Sequence, residues 1–203
     1  MNGSVSKKIV VAICGASGVI YGIRLLKALM ERDHHVYLIV SKAGKQVLAH
    51  EMGYNGEDMG EFLACQGIQP RKTDRLHVLD EYDFFSPPAS GSFRHDGMVI
   101  APCTMGTLGA IASGLANNLI HRAADVCLKE KRRLILVPRE TPLNIIHMEN
   151  MLKVAQAGAT LMPASPSFYT RAQSIDGLVD TVVARVLDHL GLSHDLMGQW
   201  GVS

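Results

Sequence analysis

The chain has 203 residues, 47% hydrophobic and 19% charged, enough apolar material for one sizeable core. A formal net charge of +1 excludes a global field for nucleic acid or anionic membranes, so an anionic ligand must be held by a local site. Cys14, Cys65, Cys103 and Cys127 form neither a Cys-x-x-Cys pair nor a Cys/His cluster, which excludes a disulfide framework and structural zinc and suits a reducing cytosol.

Met1 to Lys8 is short and polar, without the apolar length or cleavage site of a signal peptide. No apolar run reaches the roughly 18 residues that a membrane span needs, so a cytoplasmic protein is expected. Lys8 to Cys14 (KIVVAIC) is a nearly continuous apolar run rich in β-branched residues, the pattern of a strand buried on both faces of a parallel sheet. Gly15-Ala16-Ser17-Gly18 breaks it, and Val19, Ile23, Leu26 and Met30 then recur at helical spacing up to Glu31. His35 to Val40 predicts a second strand, followed by Ser41 and a helix through Gln46 and Leu48. Tyr54 to Asp96 is irregular, with a strand at Arg75 to Leu79 and pure turn chemistry at Ser86 to Ser92. Gly97 to Ala101 resumes the buried-strand pattern, and a small-residue helix follows through Gly106, Gly109, Ala110, Ala112, Ser113 and Gly114. Arg133 to Val137 predicts a strand, Pro142 to Ala157 a helix, Ala159 to Pro163 a last strand, and Ile175 to Leu190 a final amphipathic helix.

Strands alternating with helices imply right-handed crossovers and a parallel sheet covered on both faces. The expectation is an α/β fold: a single domain over residues 1–203, doubly wound, Rossmann-like or flavodoxin-like, in three αβα layers. Residues 1–7 and 193–203 read as tails, the latter, with Met197 and Trp200, as a frayed end or an intersubunit arm.

Ligands of open parallel sheets bind outside the carboxyl ends of the strands. Five such ends here deliver glycines, hydroxyls or a charged pair: Gly15, Ser17 and Gly18; Ser41 and Lys42; Thr104, Gly106 and Thr107; Arg139 and Glu140; Ser165, Ser167 and Tyr169. Glycines allow close backbone approach, and hydroxyls at a helix N-terminus add donors, which together suit a phosphate. Taken alone, Gly-Ala-Ser-Gly reads equally well as a tight turn with a serine cap. It lacks the G-x-G-x-x-G pattern, and the second strand ends in Ser41 where dinucleotide sites carry Asp or Glu, which favours a mononucleotide over NAD. Lys129, Arg139 and Arg185 are candidates for a second anion. Lys129 also reads as a solvated member of a basic run, and Arg185 as an arginine snorkelling from the apolar face of its helix. Glu140, beside Arg139, is a candidate general acid or base, with its pKa expected to be pulled in opposite directions by the arginine and by burial. The nine histidines show no ligand spacing, so no metal is assigned.

Taken together, Gly15 to Gly22, Ser41-Lys42, Pro87 to Ser92, Ala101 to Thr107, Asn117 to Lys129, Leu136 to Glu140, Asn150-Met151-Leu152 and Pro163 to Tyr169 resemble the UbiX family of flavin prenyltransferases, within the homo-oligomeric flavin-containing cysteine decarboxylase superfamily. The likeness runs from Lys8 to about Leu192, and the long block ending in Val-Pro-Arg-Glu140 is its most specific part. It implies flavin mononucleotide (FMN) contacts from Gly15, Ala16, Ser17, Ser41, Thr104, Met105, Gly106, Thr107 and Arg139. It implies that Lys129, Tyr169 and Arg185 hold the phosphate of a dimethylallyl donor, with Ser90 nearby and Arg122, Glu140 and Glu51 in the same site. The implied reaction joins a dimethylallyl group from dimethylallyl phosphate, or its pyrophosphate, to N5 and C6 of reduced FMN, for a partner decarboxylase of the UbiD type, in a homo-dodecamer. The chain departs from the pattern at Phe84, where many members carry tryptophan; phenylalanine is the weaker π donor for a developing allylic cation. Two rivals share the fold expectation. One is an FMN-dependent cysteine or phosphopantothenoylcysteine decarboxylase, against which the Pro102-Cys-Thr-Met-Gly-Thr107 turn counts. The other is an FMN carrier, which would not need so many cations beside the flavin.

Overall fold

A computed structural model of the chain describes residues 6–56, 58–68 and 74–198. Six strands form one parallel sheet: β1 (Lys8–Ile13), β2 (His35–Val40), β3 (Leu76–Leu79), β4 (Gly97–Cys103), β5 (Leu134–Pro138) and β6 (Thr160–Leu161), in the order β3-β2-β1-β4-β5-β6. The described helices are α1 (Ile20–Glu31), α2 (Lys42–Met52), α3 (Met59–Cys65), α4 (Met105–Ala112), α5 (Leu119–Lys129), α6 (Ile145–Gln156) and α7 (Ile175–Leu190), with a short 3-10 turn at Pro87–Ala89.

The strands alternate in side-chain direction, and this sorts the core into two layers. Ile9, Val11, Ile13, Val36, Leu38, Val99, Ile135 and Val137 join one cluster with α1, α2, α3 and α7. Val10, Ala12, Ile39, Met98, Ile100, Leu134 and Leu136 join the other with α4, α5 and part of α6. Every residue of β4 and β5 is buried, which is why both read in sequence as unbroken apolar runs. The expected doubly wound, three-layer α/β architecture is therefore what the chain adopts. Its winding reverses between β1 and β4, the switch point where such sheets leave a crevice at their carboxyl ends.

Differences from the sequence reading are local. α3 falls inside the stretch expected to be irregular; it has seven residues and starts where the Asp58 carboxylate accepts from the Glu61 N–H at 2.9 Å. α5 was not anticipated as a helix either, because its apolar face is built on small residues, Ala123, Ala124 and Cys127, beside Leu119 and Ile120. α6 begins at Ile145 and not at Pro142, since Asn144 caps it by accepting from the His147 N–H at 2.8 Å. The last strand shrinks to two residues. α4 packs against α6 of its own chain, with Asn150 against Gly109. The expected C-terminal tail is tied down as far as it is described: Asp195 pairs with Arg32 at 2.7 Å, Leu192 is buried, and Leu196 packs on the core. At the other end, Lys7 pairs with Asp96 at 2.9 Å. Trp200 lies outside the described residues.

Candidate active site

At the switch point, the turns after β1 and β4 face each other and the start of α2 closes a third side. Gly15 admits no side chain, because a Cβ there would stand 2.4 Å from the Ala43 Cβ. Gly18 has φ +94°, a left-handed conformation that favours glycine. The Ser41 hydroxyl accepts from the Gly44 N–H at 2.9 Å and caps α2; Thr104 does the same for α4, accepting from the Thr107 N–H at 3.0 Å. Between them lies a cavity of about 440 Å³ lined by Gly15, Ser41, Thr104, Gly106 and Thr107, with Cys14 at its floor.

Helix N-termini gather around this crevice, that of α5 capped by Asn118, and those of α1 and α2 are already occupied by the chain's own carboxylates. Glu51, from the last turn of α2, accepts from the Gly18 N–H at 2.9 Å and the Val19 N–H at 3.2 Å, at the start of α1. Buried Glu81 accepts from the Lys42 N–H at the start of α2. Among the described residues no carboxylate accepts from the first N–H groups of α4. That end, with Thr104 as its cap and Gly106 exposed, is where the uncompensated positive pole of a helix meets the cavity.

Two further features fix the character of this cavity. Burial, only partly offset by a hydrogen bond from the Thr107 hydroxyl at 3.4 Å, pushes the Cys14 thiol up to about 11. Cys14 is therefore a neutral floor residue at physiological pH, as expected for a cysteine that packs and does not attack. His121 also lines the wall; burial lowers its pKa, and its Nδ1 has no hydrogen-bond partner among the described residues. Glu81 and His121 went unnoticed in the sequence. Glu81 stands just past the end of β3, so extending the strand-end survey to the third strand finds it; nothing in the spacing marks His121.

The remaining candidates fall into three other places. Arg139, after β5, donates from Nε to the Ser17 carbonyl at 3.0 Å, which ties it to the β1 turn. Glu140 beside it is exposed, its Oε1 accepting from the Thr141 N–H at 3.0 Å, and it forms no ion pair with Arg139. The expected burial of that carboxyl is thus corrected: Arg139 is turned toward Ser17, and Glu140 faces outward. A second group gathers around residues 87–93. Arg122 donates to the Ala89 carbonyl at 3.0 Å and pairs with Asp125 at 2.8 Å. Ser90 shares a 2.8 Å hydroxyl contact with Ser92, and Lys129 pairs with Glu130 near Gly91. Phe84 and Phe85 project from a neighbouring turn, knitted by Asp83 accepting from the Phe85 N–H at 3.0 Å and from the Ser86 hydroxyl at 2.6 Å; Phe85 is fully exposed. The third group, Tyr169 and Arg185, lines a separate cavity that shares no residue with the switch-point one. A single chain therefore assembles the proposed flavin end and leaves the proposed donor end in pieces.

The Flavoprotein family model matches residues 2–187. The flavin prenyltransferase UbiX of Halalkalibacterium halodurans is 46% identical over 191 residues, covering 94% of this chain and 92% of that one. The flavin prenyltransferase UbiX of Pseudomonas aeruginosa is 45% identical over 202 residues, with 96% and 94% covered. Among solved structures, AnUbiX in complex with FMN and dimethylallyl pyrophosphate superposes with a TM-score of 0.87 at 40% identity, covering 98% of this chain and 100% of that one. A dodecameric FMN-dependent UbiX-like decarboxylase from Escherichia coli superposes at 0.85 and 39%, covering 96% and 100%. A phosphopantothenoylcysteine decarboxylase is similar in fold only, at 19% identity and a TM-score of 0.63. The chain belongs to the UbiX family of flavoproteins.

Proposed function

We propose that this protein is a flavin prenyltransferase that moves a dimethylallyl group from dimethylallyl phosphate to N5 and C6 of reduced FMN, making a prenylated flavin for a decarboxylase of the UbiD type. The observation that carries the reading is the switch-point cavity, where the N-terminus of α4, from which no carboxylate accepts among the described residues, stands beside Gly15, Ser41 and Thr107. A phosphate dianion fits that end, held by the first N–H groups of α4 and by the hydroxyls of Thr104 and Thr107. Gly15, Ala16, Ser17, Ser41, Met105, Gly106 and Arg139 complete the flavin site in this proposal.

Reduced FMN supplies the nucleophilic ring atoms, and the chain's residues serve the donor. The allylic C–O bond breaks and phosphate leaves as the allyl carbon bonds to N5, which loses its proton. Ring closure then consumes the remaining C=C, one of its carbons taking up a proton and the other bonding to C6, which loses its own. Lys129, Arg122 and Arg185 neutralise the departing phosphate by charges fixed before the reaction, and Tyr169, with Ser90 nearby, offers a hydroxyl donor. Phe84 offers a π face to the developing cation, weaker than the indole of many relatives. Glu140 takes the proton from C6, and Glu51 holds the Gly18 turn from behind. These groups meet only in a homo-oligomer, which we take to be a dodecamer like that of the Escherichia coli relative. Ile145, Ile146, Met148 and Leu152 on α6 are exposed in the single chain and provide an apolar surface for it. No helix of the described residues is long and apolar enough to cross a membrane. A cytoplasmic location and one domain over the whole chain belong to the same proposal, supported by free cysteines.

Anaerobic incubation with reduced FMN and dimethylallyl phosphate, read by mass, tests it. The expected product is FMN enlarged by one five-carbon unit. Unchanged FMN, or tighter binding of NAD than of FMN in a calorimetric titration, would overturn the assignment.

A further inference from the structure

The cavity that holds Tyr169 and Arg185, about 590 Å³, has one wall built by the segment that follows α7. Gly191, at φ +71°, ends that helix and turns the chain back along it. The returning segment is anchored twice. Leu192 is buried, and Asp195 pairs with Arg32 at the end of α1 at 2.7 Å. His194 is thereby pressed against α7 with only 9% of its side chain exposed.

His194 donates from Nε2 to Asp188 Oδ1 at 3.0 Å, and Asp188 Oδ2 accepts from Arg185 Nη1 at 2.7 Å. One carboxylate thus bridges an imidazole and a guanidinium. The bridge spends one of the five N–H donors of Arg185 and fixes the direction of the others. The Nδ1 of His194 has no partner among the described residues, so its hold on the cluster runs through Nε2 and Asp188. Tyr169 stands across the same cavity from Arg185.

We infer that His194 is a positioning residue for the phosphate end of the prenyl donor: through Asp188 it fixes Arg185, and the docked segment after α7 completes that anion site. The inference rests on the reading that Arg185 and Tyr169 take the donor's phosphate. It adds that residues beyond the last helix set donor affinity.

The test is steady-state prenylation with FMN-loaded protein and dimethylallyl phosphate. For His194→Ala the expected result is a KM for the donor raised roughly tenfold, the scale of losing one charge-assisted hydrogen bond. FMN affinity and kcat at saturating donor should stay within about threefold of wild type. An unchanged KM, or a loss of FMN binding in step with KM, would overturn the inference. His194→Leu, which keeps much of the bulk but offers no donor to Asp188, carries the test if the alanine variant fails to fold, with the same rise in KM expected. His194→Gln, which keeps an N–H donor for Asp188, should hold KM within about threefold of wild type. A KM for the glutamine variant raised as far as that of the donor-less variants would overturn the role of the hydrogen bond. Failure of the wild type to turn over the donor at all would instead overturn the prenyltransferase assignment, which separates the two outcomes.

Discussion

Arg139 and Glu140 are adjacent in sequence yet direct their charges to different places, the guanidinium to the Ser17 carbonyl and the carboxylate outward to solvent and to the Thr141 N–H. The backbone explains the split. Consecutive residues leaving a strand point to opposite sides, and Arg139 takes the side that faces β1. Arg139 is thereby a fixed part of the flavin end, while Glu140 is presented at the rim, free to reach a ring edge bound there. Forming the bond at C6 requires a base for the proton that leaves, and general base assistance is worth about 10²–10⁴-fold. Glu140→Gln keeps the size and the contact to Thr141 but cannot accept that proton. Its expected effect is a fall in product formation of roughly that factor, with FMN affinity within a few-fold of wild type. Mass analysis of the product beside an FMN titration checks both halves. Turnover like wild type would leave Glu140 a rim residue and assign the proton to phosphate or water.

At the scale of elements, α1 and α7 are held together on one face of the sheet by a side-chain fork. Arg24 donates from Nε to Asp180 Oδ1 at 2.8 Å and from Nη2 to the other oxygen of the same carboxylate; Asp176, one turn earlier on α7, adds a longer contact. Asp180 is buried, so removing the arginine strands a carboxylate in an apolar layer beside Val179 and Val183. Arg24→Met should therefore destabilise the fold by about 3 kcal/mol, and Arg24→Met with Asp180→Leu should regain most of it. Denaturant midpoints at unchanged slope measure both. This pair was not legible in the sequence, because Arg24 and Asp180 are 156 residues apart and each lies within an ordinary amphipathic pattern. The strands and long helices were legible for the opposite reason. β1, β2, β4 and β5 are buried on both faces, so composition alone marks them, and α1 and α7 carry clear helical periodicity. What escaped was short or built on small residues, as in α3 and α5. The flavin end was legible because glycines and hydroxyls mark strand ends. Which helix starts the carboxylates of Glu51 and Glu81 fill was not, since each acts on a helix from another part of the chain.

On the scale of the whole molecule, the chain carries two halves of one proposed chemistry that do not meet within it. Lys129, Arg122 and Ser90 surround residues 87–93, whereas Tyr169 and Arg185 line the cavity beside the returning C-terminal segment. α6 meanwhile exposes Ile145, Ile146, Met148 and Leu152 to solvent, a contiguous apolar cost that a partner chain would remove. Closed symmetry repeats one contact around the whole assembly, so a site built from two protomers is completed at every copy. This makes a sharp prediction about mixtures. Lys129→Ala and Arg185→Ala should each be nearly inactive, as each removes a phosphate charge. Co-expressed in equal amounts, they should regain activity, since a site that draws Lys129 from one protomer and Arg185 from another finds both intact in about a quarter of cases. A site contained within one chain would find both intact in none. The measurement is prenyl-flavin formation by the co-expressed pair, with native mass spectrometry to establish that the oligomers are mixed. Mixed oligomers without recovered activity would show that each chain holds its own donor site, and the exposed face of α6 would then need another explanation.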